Sequence, residues 1–210
     1  MITRRETLVL MGAAAIAAKV GIQPAAAQNV NPAEILKPGA LPDIWQGPES
    51  AKVAIVEYAS LTCSHCANFH NTTYKELKKR YIDSGQVRFV LRPFSLNQID
   101  TAAYMLALAE PAKYYGITDL LFETQNSWAF TPKPLDELRK LLRQAGFSEE
   151  KFNQTLRDQK LLDGVNASRQ RGSDVFKVDA TPTIFVNGIR VQGETSIEGM
   201  EKVIKPALGA

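Results

Sequence analysis

The sequence predicts an α/β fold in which a strand-helix-strand unit, a helical insert and a final strand-strand-helix unit follow one another. Residues 52–58 and 87–94 are rich in apolar and β-branched side chains, as buried strands are. A mostly helical pattern runs from about Asn97 to Val175, and strand character returns in residues 181–193. With 210 residues and 45% hydrophobic content, the chain is long enough to bury a full core.

The first 27 residues have the pattern of an export signal. A basic start precedes an apolar run from Leu8 to Ala18, and alanines fill positions 25–27. The apolar run is shorter than a membrane-spanning helix, and Lys19 interrupts it. We therefore predict cleavage near Ala27 and a location in the periplasm.

The export route stays open between two pathways. Arg4-Arg5 resembles a twin-arginine signal, but Thr7 and Val9 stand where that signal has an aromatic residue and a lysine. Three of the 25 Lys and Arg residues but only one of the 22 Asp and Glu residues lie in this leader, so most of the formal net charge of +3 belongs to it. The remaining chain is almost neutral, which predicts no nucleic-acid partner.

The strand-helix-strand unit follows an N-terminal arm, residues 28–51, whose first part contains three prolines and few periodic apolar positions. Helical spacing begins at Cys63 and continues to Tyr81, and Ser84-Gly85 is expected to end that helix. A strand on each side of one helix makes a βαβ unit, so the second strand is expected to run parallel to the first.

The insert is predicted to span residues 97–175 and to contain several helices, because prolines and a glycine interrupt its pattern. After it, Asn187-Gly188 is the preferred pair for a two-residue hairpin turn. A last helix from about Ser196 to Leu208 closes the chain. The α/β domain is thus predicted to consist of residues 52–96 and 176–210.

The stretch "SLTCSHCANFH" holds both cysteines and both histidines of the chain. Cys63 lies where the first strand passes into the helix, and unpaired backbone N–H groups at a helix N-terminus stabilise a thiolate. Cys66 is one turn further along the helix, so it is expected to be more buried and to resolve a mixed disulfide at Cys63. His65 would donate a hydrogen bond or a charge to the thiolate, so Ser64-His65 favours disulfide donation.

Two other interpretations of this stretch are weaker. A structural disulfide between residues three positions apart closes too small a loop to restrict the unfolded chain. A tetrahedral zinc site needs four ligands, and the two cysteines with His70 supply three. We therefore predict no metal and no organic cofactor, and interpret His70 as a core or surface histidine.

The segments "EYASLTCSHCANFH" and "ATPTIFVNG" together resemble the DsbA-type thiol:disulfide oxidoreductases of the bacterial cell envelope. The resemblance covers nearly all of the chain after the leader, including the helical insert. It implies a thioredoxin fold for the α/β domain, with a redox-active disulfide in which Cys63 is the exposed nucleophile and Cys66 the buried partner.

Two further site residues follow from the resemblance. Thr181-Pro182 matches the cis-proline loop of the family, which packs against the cysteine pair and would present the Thr181 backbone to an extended substrate segment. Glu57 matches an acidic residue beneath the disulfide and would take the proton from Cys66. A solvated glutamate at the end of the strand is an equally compatible interpretation of Glu57.

The implied function is the introduction of disulfide bonds into unfolded exported proteins, with reoxidation by a quinone-linked membrane protein of the DsbB type. The sequence departs from the pattern of many oxidases at Ser64, where they have proline, and at Thr181, where they have valine. Because disulfide isomerases also have threonine at the second position, an isomerase or reductase remains the alternative.

Overall fold

The computed structural model describes residues 29–191 and 195–209, so the predicted export signal lies outside the described residues. The strands of its sheet are β1 (Val53–Ala59), β2 (Val87–Pro93), β3 (Thr183–Val186) and β4 (Ile189–Arg190). Their order across the sheet is β2-β1-β3-β4, with β1 parallel to β2 and antiparallel to β3. The predicted α/β fold and the parallel βαβ unit are confirmed.

The helices surround this sheet. They are α1 (Pro32–Ile35), α2 (Ser64–Asn71), α3 (Thr73–Leu77), α4 (Gln98–Leu108), α5 (Tyr114–Glu123), α6 (Gln125–Trp128), α7 (Pro134–Gln144), α8 (Glu149–Leu156), α9 (Gln159–Phe176) and α10 (Ile197–Leu208). Helices α4 to α9 lie between β2 and β3, where the insert is predicted. Among the described residues, no helix combines the length and the apolar character needed to cross a bilayer.

The prediction of one continuous helix from Cys63 to Tyr81 is wrong. Helix α2 ends at Asn71, and Thr72 has φ −123° and ψ −83°, outside the helical region. Its hydroxyl donates to the carbonyl oxygen of Asn68 at 2.7 Å, a side-chain bond that competes with the helical pattern and bends helices. Helix α3 and a π-helical turn (Lys78–Ile82) carry the chain onward.

Both faces of the central strand are covered, because every residue of β1 is buried. Side chains alternate between the two faces of a strand. Val56 and Tyr58 pack with Phe176 of α9 on one face, whereas Ile55 belongs to the larger cluster on the other face. Glu57 follows the alternation of Ile55 and therefore points toward the face that α2 covers.

The N-terminal arm forms backbone hydrogen bonds with the edge strand β2 and with the hairpin between β3 and β4. Gln46 and Phe89 exchange two backbone hydrogen bonds of 2.9 Å, and the Val30 N–H donates to the Gly188 carbonyl oxygen at 2.8 Å. Asn187 and Gly188 have φ of 47° and 84°, as a two-residue hairpin turn between twisted strands requires. The predicted hairpin is therefore confirmed, and the arm contacts its tip.

Candidate functional site

Cys63 is the residue that caps the N-terminus of α2, with extended backbone angles of φ −91° and ψ 121°. No side chain caps this helix end, so the first N–H groups of the helix are left for the sulfur. Cys63 is half-buried, Ser64 and His65 are exposed, and Cys66 is completely buried. Both cysteines are free thiols in this structure.

The pKa values of the two thiols are shifted in opposite directions. The pKa of Cys63 is lowered to about 5, chiefly by a hydrogen bond with the Cys66 side chain and further by the Thr181 side chain and the N–H groups of Cys66 and His65, while burial opposes the shift. Burial raises the pKa of Cys66 well above its usual value, and the negative charges of Cys63 and Glu57 add to this. The pair therefore has an ionised outer sulfur and a protonated inner one.

The loop before β3 contacts the outer sulfur. The Thr181-Pro182 peptide bond is cis, as predicted, and Cys63 Sγ lies 3.3 Å from the Thr181 carbonyl oxygen, to which the thiol donates when it is protonated. Residues that are 118 positions apart in the chain thus meet.

Glu57 is completely buried, so the interpretation as a solvated glutamate is wrong. One of its carboxylate oxygens, Oε2, lies 2.9 Å from Nε2 of His70, which is also buried. His70 is therefore a core residue, as predicted, but one that is paired with the predicted acidic group. The side chains of Ser64 and His65 are exposed. Their influence on the reactivity of Cys63 stays a prediction.

Sequence reasoning missed the side chains that hold the loop before Cys63. Asp100 is buried and accepts hydrogen bonds from the N–H groups of Leu61 at 2.8 Å and Leu96 at 2.9 Å, and burial raises its pKa to about 6. Gln125 donates to the carbonyl oxygens of Leu61 and Cys63, at 2.8 and 3.1 Å. These polar side chains fix the entry to α2 from two helices of the insert.

A metal site finds no support in the described part of the chain. Within residues 29–191 and 195–209, no group of three or more histidine, cysteine, aspartate and glutamate side chains is arranged to hold an ion. The groups that lower the pKa of Cys63 are the side chains of Cys66 and Thr181 and the backbone N–H groups of Cys66 and His65. They suit a thiolate, because they donate hydrogen bonds to negative charge.

The lowered pKa of Cys63 predicts how pH changes the stability of the reduced protein. Its pKa falls from about 9 in a model thiol to about 5 in the folded state, so the stabilisation is complete above about pH 9 and is lost as the pH falls through 5. We expect the reduced protein to melt above the oxidised protein at pH 7 and this difference to shrink toward pH 4. Thermal unfolding of both forms across this range measures it.

Thr181→Val is the matched variant for this experiment, because it removes the hydroxyl but keeps the shape of the side chain. The midpoint of thiolate absorbance in the reduced protein should rise, and the difference in melting temperature should become smaller. A midpoint that stays near pH 5 in Thr181→Val would contradict a contribution of the Thr181 side chain to the lowered pKa of Cys63.

Comparison with known proteins agrees with this geometry. Residues 40–206 match the family model described as Thioredoxin. A protein of Rickettsia felis named "Putative protein-disulfide oxidoreductase" is 30% identical over 168 residues, which are 79% of this chain and 60% of that protein. "Disulfide bond formation protein D" of Bacillus subtilis is 25% identical over 175 residues, which are 77% of this chain and 75% of that protein.

The helical insert is matched as well. The crystal structure of α-DsbA1 from Wolbachia pipientis superposes with a TM-score of 0.77 at 27% identity, over 84% of this chain and 95% of that one. The chain spans about 60% of the length of the Rickettsia relatives. From the family match, the superposition and the cysteine geometry, we conclude that the chain belongs to the thioredoxin family, among its DsbA-type members.

Proposed function

We propose that this protein is a periplasmic thiol:disulfide oxidoreductase that introduces disulfide bonds into exported proteins through its CSHC site. The observation that carries the proposal is the Cys63 sulfur, held at the N-terminus of α2 within 3.3 Å of the Thr181 carbonyl oxygen. The side chains of Cys66 and Thr181 and the N–H groups of Cys66 and His65 stabilise the thiolate at this sulfur. The Thr181 backbone beside it would pair with an extended substrate segment.

The reaction begins with the Cys63–Cys66 disulfide. A substrate thiolate attacks Cys63 Sγ, a bond forms between the two sulfurs, and the Cys63–Cys66 bond breaks with its electron pair on Cys66 Sγ, which takes up a proton. A second substrate thiolate then attacks the substrate sulfur of the mixed disulfide, and Cys63 leaves as a thiolate. The substrate loses two electrons and the protein gains them.

The direction of transfer follows from the acidity of Cys63. A thiol with a pKa of about 5 is a good leaving group, because its thiolate is stable at neutral pH. Whatever stabilises the reduced thiolate makes the disulfide easier to reduce and the protein a stronger oxidant. This supports oxidation over reduction of substrates.

Two exposed apolar side chains lie on segments whose neighbouring residues contact the site, and they support the binding of unfolded segments. Leu96 is 52% exposed and Phe130 is 59% exposed. Leu96 precedes Asn97, whose amide donates to the Thr62 hydroxyl at 2.9 Å, and Phe130 follows α6, whose Gln125 holds Cys63. Exposed apolar surface beside a reactive group is typical of a site for apolar peptide segments. A DsbB-type membrane protein would use the same surface when it reoxidises the thiols.

The deciding experiment measures the redox potential of the cysteine pair against glutathione, together with dithiol oxidation of a reduced unfolded protein. We expect a potential more oxidising than that of thioredoxin, which is about −270 mV, and rapid oxidation of the substrate. Rescue of a scrambled-disulfide substrate is assayed in parallel. A potential as reducing as that of thioredoxin, or strong rescue by an oligomer, would overturn the proposal in favour of a reductase or an isomerase.

A further inference from the structure

One buried carboxylate holds two separate loops beside the cysteine pair. Asp100 Oδ1 accepts the N–H of Leu61 at 2.8 Å, and Asp100 Oδ2 accepts the N–H of Leu96 at 2.9 Å. The Asp100 side chain is completely buried, and it belongs to the first turn of α4, where the N-terminus of a helix stabilises negative charge. Since each oxygen serves a different loop, the two N–H groups lie no further apart than one carboxylate allows.

The first of these loops leads into Cys63. Leu61 is held at both of its backbone polar groups, because Asp100 accepts from its N–H and Gln125 donates to its carbonyl oxygen at 2.8 Å. Gln125 also donates to the carbonyl oxygen of Cys63 at 3.1 Å. Side chains of α4 and α6 therefore fix the extended backbone with which Cys63 caps α2.

The second loop carries the exposed side chain of Leu96. This side chain is 52% exposed, although the N–H of the same residue is bound to buried Asp100. On either side of Leu96, the Ser95 hydroxyl donates to the carbonyl oxygen of Asn97 at 3.0 Å, and the Asn97 side chain caps α4. The backbone around Leu96 is therefore fixed, which makes its side chain a preorganised apolar contact.

We propose that Asp100 is a positioning residue that fixes the Leu96 side chain relative to the Cys63 sulfur, so that an apolar substrate segment is aligned for attack on the disulfide. This role rests on the proposed function, because it concerns how a substrate thiolate reaches Cys63. Asp100 acts through the two loops that it holds, since a buried side chain does not contact the substrate. Alignment matters because a misplacement of about 1 Å can slow a reaction about 100-fold.

Asp100→Asn separates the two contacts with almost no change of shape. The amide keeps one oxygen but has an NH₂ group where the carboxylate has its second oxygen, so it accepts from Leu61 or from Leu96 but not from both. The N–H group that is left over then faces a donor and loses its hydrogen bond. Whichever loop is released, Leu96 and Cys63 are no longer fixed relative to each other.

The test compares the oxidation of two dithiol peptides that are identical except for a leucine or a serine beside the reactive cysteine. Each peptide is mixed with oxidised protein in a single turnover, in which the peptide loses the two electrons that the Cys63–Cys66 disulfide gains. Wild type should oxidise the leucine peptide about tenfold faster, which is the lower end for one apolar contact in an enzyme site. In Asp100→Asn this preference should fall to about twofold, because the contact is no longer held in alignment.

The ratio of the two rates separates positioning from charge. Loss of the negative charge on Asp100 changes the reactivity of Cys63 toward both peptides alike, so a charge effect alone leaves the ratio at its wild-type value. Leu96→Ala should remove the preference, and Asp100→Asn added to it should lower the ratio no further, since both changes act on one contact.

Tyr104→Phe is the packing control on the same helix. The buried Tyr104 hydroxyl donates to the carbonyl oxygen of Ala59 at 2.7 Å, and that oxygen also accepts the N–H of Phe94 at 2.8 Å. The variant thus loses one buried hydrogen bond without releasing either loop. It should keep the tenfold preference of wild type.

The role of Asp100 would be overturned by a wild-type ratio in Asp100→Asn, by a further loss in the double variant, or by an equal loss in Tyr104→Phe. If Asp100→Asn fails to fold, hydrogen exchange of the wild-type protein decides. A leucine peptide with serine in place of its cysteines should slow exchange of the Leu61 and Leu96 amide hydrogens together, and protection confined to Leu96 overturns the role. Equal oxidation of both peptides by wild type overturns it alone, whereas oxidation of neither also overturns the proposed function.

Discussion

Replacement of Cys63 by serine is expected to reduce disulfide exchange to the background rate. The serine hydroxyl does not form a disulfide, and the contacts that lower the pKa of Cys63 to about 5 then serve no nucleophile. Replacement of Cys66 by serine should leave the outer thiolate reactive, because a hydroxyl still donates to it. That variant should accumulate mixed disulfides, which non-reducing gels and intact mass detect after mixing with a protein disulfide.

The two variants test the division of roles that follows from burial. Cys66 is 0% exposed, so an incoming protein reaches only Cys63. Equal residual oxidation in both variants, or mixed disulfides trapped on Cys66 in the Cys63→Ser protein, would contradict the assignment. The oxidised wild-type protein and the double serine variant are the positive and negative controls.

Features that depend on neighbours in the chain could be predicted from the sequence. The alternation of apolar residues predicts β1 and β2, and Asn187-Gly188 predicts the hairpin between β3 and β4. Ser148 followed by two glutamates is the pattern of a helix start, and Ser148 caps α8 by accepting from the Lys151 N–H at 3.1 Å. The position of the cysteine pair at the start of α2 follows from the change to helical spacing at Cys63.

Features that depend on packing could not be predicted in this way. Glu57 and His70 are 13 positions apart, and Leu61 and Asp100 are 39 positions apart. Their pairing is set by how α2 and α4 lie on the sheet, and no spacing rule encodes that. Asn97 did offer a signal, because an asparagine three residues before an acidic residue is typical of a helix start. Asn97 caps α4. The hydrogen bond that Asp100 accepts from the Leu61 N–H depends on the tertiary fold instead.

The largest effect on stability is expected at the ion pair that anchors the arm. Arg92 of β2 donates two hydrogen bonds to Asp43, at 2.9 and 2.7 Å, and others to the Tyr58 hydroxyl and the Lys37 carbonyl oxygen. Both side chains of the pair are 6% exposed. Arg92→Met leaves the Asp43 carboxylate buried without its cation, so the free energy of unfolding should fall by about 3–5 kcal/mol. Chemical denaturation of the oxidised protein measures this.

Two controls separate a buried charge from the loss of an ordinary contact. Arg92→Met combined with Asp43→Leu should recover much of the loss, because no charge then remains buried and two apolar side chains fill the space. Lys75→Met removes an exposed pair, in which Lys75 and Glu123 are 56% and 48% exposed, and should cost no more than about 1 kcal/mol. A double variant as unstable as Arg92→Met would mean that the hydrogen bonds to Tyr58 and Lys37, rather than the charge on Asp43, hold the arm against the sheet.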